Sequence, residues 1–421
     1  MSDPARRQFL LKGKSVDREN GSLQHDPLQS VTFEPIYIHE GETVSSDRPF
    51  RLYFYLPQIR PELIHTYTYD PYSNYTLYDP ALSVFEEVRE WQAPRDGYIR
   101  LVFFGSPEER IDRLVRFPQE TEEVPEQKPW FQEEQQRLLQ RYAQQKEEGD
   151  TCLLLLSDTH YGYGCAFPDT VINLKELAKE IHPQALIHLG DLSDGAQSSA
   201  VSREMAQRVL DGLKESGLPV YLCIGNHDGN YFRGNKDVFS RKENEELYLN
   251  GEREDRRIDL PQQKLSLLFL SSFDPKRKHR YGFSLPTILR LCRLLLGKPQ
   301  GHRLLVFSHV PPLGELHYWD PEIFHSELLL KVLERHQKRH HDILAYIHGH
   351  NHADSVYTKR SFPIVGIASN KPEDFQDHKP AGTCTPLREP DTASQECFDV
   401  LLVKKEKVLF LRYGAGEDRE V

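Results

Sequence analysis

At 421 residues the chain is too long for one ordinary hydrophobic core and predicts two domains. Apolar residues make up 38% and charged residues 28%, which reads as soluble and globular, and a net charge of -11 disfavours a global basic field for gripping nucleic acid. No run approaches the ~20 apolar residues of a membrane span, and the six cysteines (152, 165, 223, 292, 384, 397) lack the paired spacing of a zinc knuckle or redox dithiol. A reducing, cytoplasmic setting is the simpler reading, with Cys152 and Cys223 as small core residues in apolar runs.

In chain order, residues 1–29 read as a polar tail. Within it Arg6-Arg7-Gln8-Phe9-Leu10-Leu11-Lys12 imitates a twin-arginine export signal, but Gly-Lys-Ser-Val-Asp follows where an apolar stretch would be needed. Residues 30–105 have β texture: Phe50, Leu52 and Phe54 alternate with Arg51, Tyr53 and Tyr55, and Arg95-Asp96-Gly97 turns into a run from Tyr98 to Phe104. This predicts a small antiparallel β-sandwich as an accessory domain. Its tyrosine-rich stretch, Tyr67, Tyr69, Tyr72, Tyr75 and Tyr78, reads either as strand packing or as a surface for a glycan or protein ligand. Residues 106–150 read as a linker in which Pro129 opens a polar helix to about Glu148, clipped to a domain by Trp130, Leu138, Leu139 and Tyr142.

After Asp150 the pattern becomes short apolar runs: 153–156, 185–189, 220–224, 265–270, 304–307 and 343–347. Helical stretches lie between several of them, at 171–181, 201–215 and 326–337. Runs of this length suit strands buried on both faces, so residues 151–421 predict an α/β layer fold with its chemistry at the strand ends.

Five of the six runs end in a cluster able to bind metal. These are Ser157-Asp158-Thr159-His160, Gly190-Asp191-Leu192-Ser193-Asp194, Gly225-Asn226-His227-Asp228, Ser308-His309 and His348-Gly349-His350-Asn351-His352. One histidine after a strand is usually a hydrogen-bonded loop residue; five concerted strand ends point to one site. Carboxylate, imidazole and amide oxygen together suit borderline divalent ions such as Mn, Fe or Zn, and Asp191 can bridge two ions through its two oxygens.

The ordered series Asp-x-His, Gly-Asp-x-x-Asp, Gly-Asn-His-Asp, a lone His and Gly-His-x-His resembles the calcineurin-like metallophosphoesterase superfamily over about residues 151–421. The resemblance implies a four-layer αββα sandwich with two divalent metal ions. It implies Asp158, His160, Asp191 and His352 around one metal, and Asp191, Asn226, His309 and His350 around the other. It makes His227 a non-ligand that binds phosphate and protonates the leaving oxygen, with Asp194 fixing its tautomer. Asp228 and His348 fall outside the ligand pattern and read as structural.

The implied reaction is phosphate-ester hydrolysis by a metal-bridging hydroxide, with no covalent intermediate at Ser308. Protein phosphatases of the superfamily carry Arg after the second Asp of the Gly-Asp motif; Gly195 stands there, which favours a phosphodiester or small nucleotide-like substrate. Tyr161, Tyr163, Tyr231 and Arg233 flank the motifs as substrate contacts or as loop packing. The alternatives are a phosphomonoesterase or protein phosphatase, or a non-catalytic scaffold whose N-terminal domain binds the ligand. The closing stretch, Cys397 to Arg412 and then Gly414 to Arg419, reads as a hairpin seated on the sandwich with a solvated charged end.

Overall fold

The computed structural model describes residues 6, 8, 10–32, 35–56, 77–105, 110–117, 126–161, 167–195, 199–231, 238–274, 276–277, 279–372, 379–389 and 392–421. They fall into two compact units, one within 1–126 and the other within 127–421. Tyr67, Tyr69, Tyr72, Tyr75, Tyr163 and Arg233 lie outside the described residues.

The first unit is a seven-stranded antiparallel sheet of β1 (Leu10–Val16), β2 (Leu23–Thr32), β3 (Ile36–Ile38), β4 (Thr43–Leu56), β5 (Leu77–Gln92), β6 (Gly97–Phe104) and β7 (Val115–Arg116). Residues 10–29, which read as part of a polar tail, supply β1 and most of β2. Few apolar side chains mark them, and polar residues on the open face hide the alternation; Leu10, Val16 and Val31 point inward. β4 pairs with β5 through three register shifts, and bulges of this kind increase local twist. Phe50, Leu52 and Phe54 meet Ile99, Leu101 and Phe103 in one core, as the alternation predicts. The opposite face is also covered: Tyr53 and Tyr55 are buried, and Tyr55 Oη donates to Gly21 O at 2.7 Å. Tyr78 packs beside Tyr53 and Tyr55.

The second unit begins with α1 (Pro129–Gln145), which buries Phe131, Glu134 and Leu138 along one stripe while Trp130, Leu139 and Tyr142 pack beside them. Its strands are β8 (Thr151–Leu156), β9 (Ala185–His188), β10 (Val220–Leu222), β11 (Arg256–Leu260), β12 (Leu265–Leu270), β13 (Arg303–Ser308), β14 (Ile343–His348), β15 (Asp354–Tyr357), β16 (Ile364–Gly366), β17 (Thr383–Cys384), β18 (Cys397–Val403), β19 (Val408–Gly414) and β20 (Arg419–Glu420). Its remaining helices are α2 (Phe167–Ile181), α3 (Ser199–Lys214), α4 (Arg241–Leu249), α5 (Leu285–Leu296) and α6 (Ser326–His340).

Two sheets result, in the orders β10-β9-β8-β18-β19-β20 and β11-β12-β13-β14-β16-β15-β17. β8, β9 and β10 run parallel in the first, and β12, β13, β14 and β16 in the second. Alternate residues of each strand serve different cores. Leu153, Leu155, Ile187, Phe269, Phe307 and Ile347 fill the space between the sheets. Leu154, Leu156 and Leu186 face α1 to α4, whereas Leu268, Val306 and Tyr346 face α5 and α6. The layers are helix, sheet, sheet, helix. Full burial of each such Leu or Phe contributes roughly 1.5–3 kcal/mol, which explains why these strands read as continuous apolar runs.

The C-terminal hairpin is part of the first sheet, where β18 lies against β8 with Val400 opposite Leu154. The charged end is not a solvated tail. Arg412 is buried and bonds Asp354 (2.8 and 3.0 Å) and Asp399 (3.0 and 3.2 Å), while Arg419 joins the same two carboxylates. Burial alone would raise the Asp354 pKa, but Arg412 and Arg419 outweigh it and hold it below the usual range. Charge that looks exposed in sequence is here an internal pairing between β15 of one sheet and β19 of the other.

Candidate metal centre

The parallel strands β8, β9, β10, β13 and β14 deliver the ligand-type residues beyond their carboxyl ends. Asp158 and His160 follow β8, Asp191 follows β9, Asn226 follows β10, His309 follows β13, and His350 and His352 follow β14. All seven are buried. Asp158, His160, Asp191, His350 and His352 have positive φ, between 40° and 67°. A left-handed backbone costs a non-glycine residue roughly 1–2 kcal/mol, so the fold accepts strain to turn these side chains inward.

His352 Nε2 stands 3.2 Å from Asp158 Oδ1 and 3.1 Å from His160 Nε2. Asp191 Oδ2 is 3.1 Å from His309 Nε2 and 3.6 Å from His160 Nε2, so it reaches toward both ends of the site. His309 Nε2 is also 3.1 Å from Asn226 Oδ1 and from His350 Nδ1. Backbone donors lock the carboxylates: His350 N donates to Asp158 Oδ2 at 3.0 Å and His227 N to Asp191 Oδ1 at 2.8 Å. His309 Nδ1 donates to Leu189 O at 2.9 Å, which turns Nε2 into the site.

Burial, followed by neighbouring imidazoles, holds His160 and His350 well below the usual histidine range, so both are neutral and offer lone pairs. Burial also lowers His352. His309 differs: burial lowers its pKa, but Asp191 and Asp158 outweigh that and lift it to about 9, a carboxylate field that attracts any cation. Asp158 is held low despite burial by His352 and His309.

The donor set fits divalent ions. Asp158 Oδ1 is buried and accepts no well-directed hydrogen bond; imidazole nitrogens of His352, His160 and His309 stand 3.2, 3.8 and 4.0 Å away. Convergence of carboxylate oxygen and neutral imidazole nitrogen in a buried cluster suits a borderline metal ion. Among the described residues, Asp158, His160 and His352 form one cluster able to hold an ion, Asp191, His309 and His350 a second, and His160, Asp191 and His227 a third.

His227 lies half-buried at the rim with its ring edge-on to His160 at 4.7 Å. Its Nδ1 contacts the main-chain carbonyl of Asp194, which as an acceptor places the proton on Nδ1 and presents Nε2. Asp228 has a structural role, accepting from the amides of Asp191, Gly225 and Leu192 at 2.8 Å each; burial and the nearby Asp191 raise it to about 6. His348 is buried with Nδ1 3.0 Å from Gly349 O. Ser308 Oγ donates to Val310 O at 2.6 Å and lies 2.7 Å from Tyr346 Oη. Tyr161 bridges to Ser193 and packs edge-on to Phe167.

Three neighbours of the centre belong to none of the sequence motifs. The His317 ring stacks on His350 at 4.8 Å and 14°, Tyr281 lies 5.0 Å from His350, and Trp319 Nε1 donates to His350 O at 3.1 Å. Their signal in the sequence is the dense His317-Tyr318-Trp319 run and the Tyr281-Gly282 pair, both in loops far from the motifs.

Residues 153–354 match the family model described as calcineurin-like phosphoesterase. The DNA double-strand break repair protein Mre11 of Sulfurisphaera tokodaii is 36% identical over 86 residues, covering 18% of this chain and 22% of that protein. The chain thus aligns with about a fifth of that relative's length. Among solved structures, a dimetal phosphatase from Danio rerio aligns over 64% of this chain and 98% of its own at 18% identity and TM-score 0.43. The purple acid phosphatase PPD1 of yellow lupin, Lupinus luteus, aligns over 93% and 74% at 9% identity and TM-score 0.44. Residues 153–354, with donors in place for two divalent ions, thus match the calcineurin-like phosphoesterases, hydrolases of phosphoester bonds.

Proposed function

We propose that the second unit hydrolyses phosphodiesters or small nucleotide-like phosphate esters. In this reading Asp158, His160, Asp191 and His352 hold one cation, and Asp191, Asn226, His309 and His350 the other. The carrying observation is the reach of Asp191 Oδ2 to an imidazole of each set, His309 at 3.1 Å and His160 at 3.6 Å. When bound, the two ions, manganese, iron or zinc, supply Lewis acidity and a water acidic enough to attack phosphorus near neutral pH.

The remaining work belongs to the chain. His227, held through Nδ1 by the Asp194 carbonyl, presents Nε2 to bind a phosphoryl oxygen and to protonate the departing one. The backbone bond from His227 N to Asp191 Oδ1 ties this acid to the carboxylate that would be shared by the two ions. Preference for a diester over a phosphoprotein is supported at Gly195. Its φ is 63°, and a Cβ there would meet His227 O at 2.3 Å, so arginine does not fit without displacing His227. A cytoplasmic setting accords with free Cys152, Cys223, Cys292, Cys384 and Cys397. Among the described residues, no helix is long and apolar enough to cross a membrane.

Purified protein is expected to hydrolyse bis-nitrophenyl phosphate faster than nitrophenyl phosphate, to lose activity to a chelator and to regain it with Mn²⁺. Activity that persists through chelation and in Asp191→Asn rejects the two-metal reading; faster hydrolysis of the monoester moves the assignment to a phosphomonoesterase.

A further inference from the structure

The centre is flanked asymmetrically in sequence but evenly in space. On one side His227 stands edge-on to the candidate ligand His160 at 4.7 Å; on the other Tyr281 stands 5.0 Å from the candidate ligand His350. His227 comes from a recognisable motif, whereas Tyr281 comes from the loop between β12 and α5.

The backbone around Tyr281 is held from several directions. Tyr281 bridges to Phe273, Gly282 N donates to Ser272 O at 2.9 Å, and Phe324 N donates to Tyr281 O at 3.0 Å. Gly282 has φ 138°, and a Cβ there would lie 2.4 Å from Phe324 O, so glycine is required for this close approach. Ser272 Oγ in turn accepts from Val310 N at 3.0 Å, which ties the loop to the residue after His309. The ring is wedged between His350, His317 at 4.7 Å and Phe273 at 5.7 Å. Such a frame packs the ring on several sides.

The hydroxyl of this ring differs from those in the cores, which are anchored: Tyr55 donates to Gly21 O at 2.7 Å, Tyr248 to Asp228 O at 3.1 Å and Tyr413 to Phe131 O at 2.8 Å. Among the described residues, Tyr281 Oη makes no hydrogen bond. A phenol keeps its proton at neutral pH, so Oη is available as a donor. A packed, mostly buried phenol without a protein partner beside a phosphate-binding centre is a donor waiting for an acceptor.

Building on the phosphoesterase reading above, we propose that Tyr281 Oη donates a hydrogen bond to a non-bridging phosphoryl oxygen of the substrate, opposite His227. Tyr281 then contacts substrate and neither gives up a proton nor touches the leaving group. The two flanking groups serve different oxygens. His227 acts on the departing one, and Tyr281 steadies charge that stays on phosphorus. That division separates them experimentally.

The test compares Tyr281→Phe, which keeps the ring and its packing, with wild type, both loaded with Mn²⁺. A hydrogen bond to a charged oxygen predicts a fall in kcat/KM of roughly 10- to 100-fold on aryl phosphodiesters. The fall should be the same for good and poor leaving groups, with metal content and melting temperature unchanged. Binding of inorganic phosphate, followed by calorimetry, should weaken about as much as a charge-assisted bond is worth, roughly tenfold or more. Retention of kcat/KM and phosphate affinity within a factor of about two overturns the inference, as does a loss that grows with leaving-group pKa or comes with loss of metal. The phosphate arm keeps the two readings apart. Wild type that binds phosphate through Tyr281 yet hydrolyses no ester defeats the phosphoesterase reading alone, and active wild type indifferent to Tyr281→Phe defeats this one alone.

Discussion

His227 sits between two roles, because its ring nitrogen lies within reach of His160 and Asp191 as well as of the Asp194 carbonyl. The hydrogen bond fixes the proton on Nδ1 and leaves Nε2 as the free nitrogen, as at His309, and it is the half-buried position at the rim that favours substrate over metal for His227. His227→Ala should therefore leave the metal content intact by elemental analysis while slowing esters of poor leaving groups about 10²- to 10⁴-fold, the usual range for a general acid. Nitrophenyl esters, which need little protonation, should suffer least; loss of metal in this variant would place His227 among the ligands. At this scale the sequence is most legible for Asp158, His160, Asp191, Asn226, His309, His350 and His352, because each follows a strand that reads clearly as an apolar run. It is least legible where a backbone atom acts. That the Asp194 contact with His227 runs through the main-chain carbonyl is a matter of loop geometry that no residue type encodes.

The central strands of the second unit are readable for the same reason that they are stable: both faces are buried, so their apolar runs are unbroken, whereas its helices are read from one buried stripe. β11, β15 and β17 are short or carry charge, as in Arg256–Leu260 and Asp354–Tyr357, and leave no such trace. The Arg412 cluster misleads because buried and exposed arginine look alike until the partners Asp354 and Asp399, remote in sequence, are brought to them. Arg412→Met should destabilise the protein by about 3–5 kcal/mol in urea unfolding, since it leaves two buried carboxylates with a single partially exposed partner, Arg419. A change below about 1 kcal/mol would show that water or Arg419 compensates. Tyr281, His317 and Trp319 show a related limit. They reach the centre from loops whose course depends on tertiary contacts, so the short aromatic runs that contain them do not say what they lie against.

For the whole molecule, the division is one of contact: the first unit has its own core around Phe50, Leu52 and Phe103, and every candidate ligand belongs to the second. A protein lacking residues 1–126 should still hydrolyse bis-nitrophenyl phosphate with Mn²⁺, and any glycan or protein recruited by the first unit should be lost in pull-down from the truncated form. A folded truncated protein, by circular dichroism, that binds metal yet is inactive would show that the first unit contributes to catalysis.

The candidate ligands are drawn from both sheets. Asp158, His160, Asp191 and Asn226 follow strands of the first, and His309, His350 and His352 follow strands of the second. Each cluster therefore mixes the two: Asp158 and His160 with His352, and Asp191 with His309 and His350. A bound ion is then also a non-covalent cross-link clamping the layers at one end, while Arg412 pairs them from β19 to β15. Because ligation requires the folded arrangement, each ion adds stability that rises with its concentration, about 2.7 kcal/mol at a hundredfold excess over its Kd. Metal scarcity would accordingly act on the lifetime of the protein as well as on its turnover.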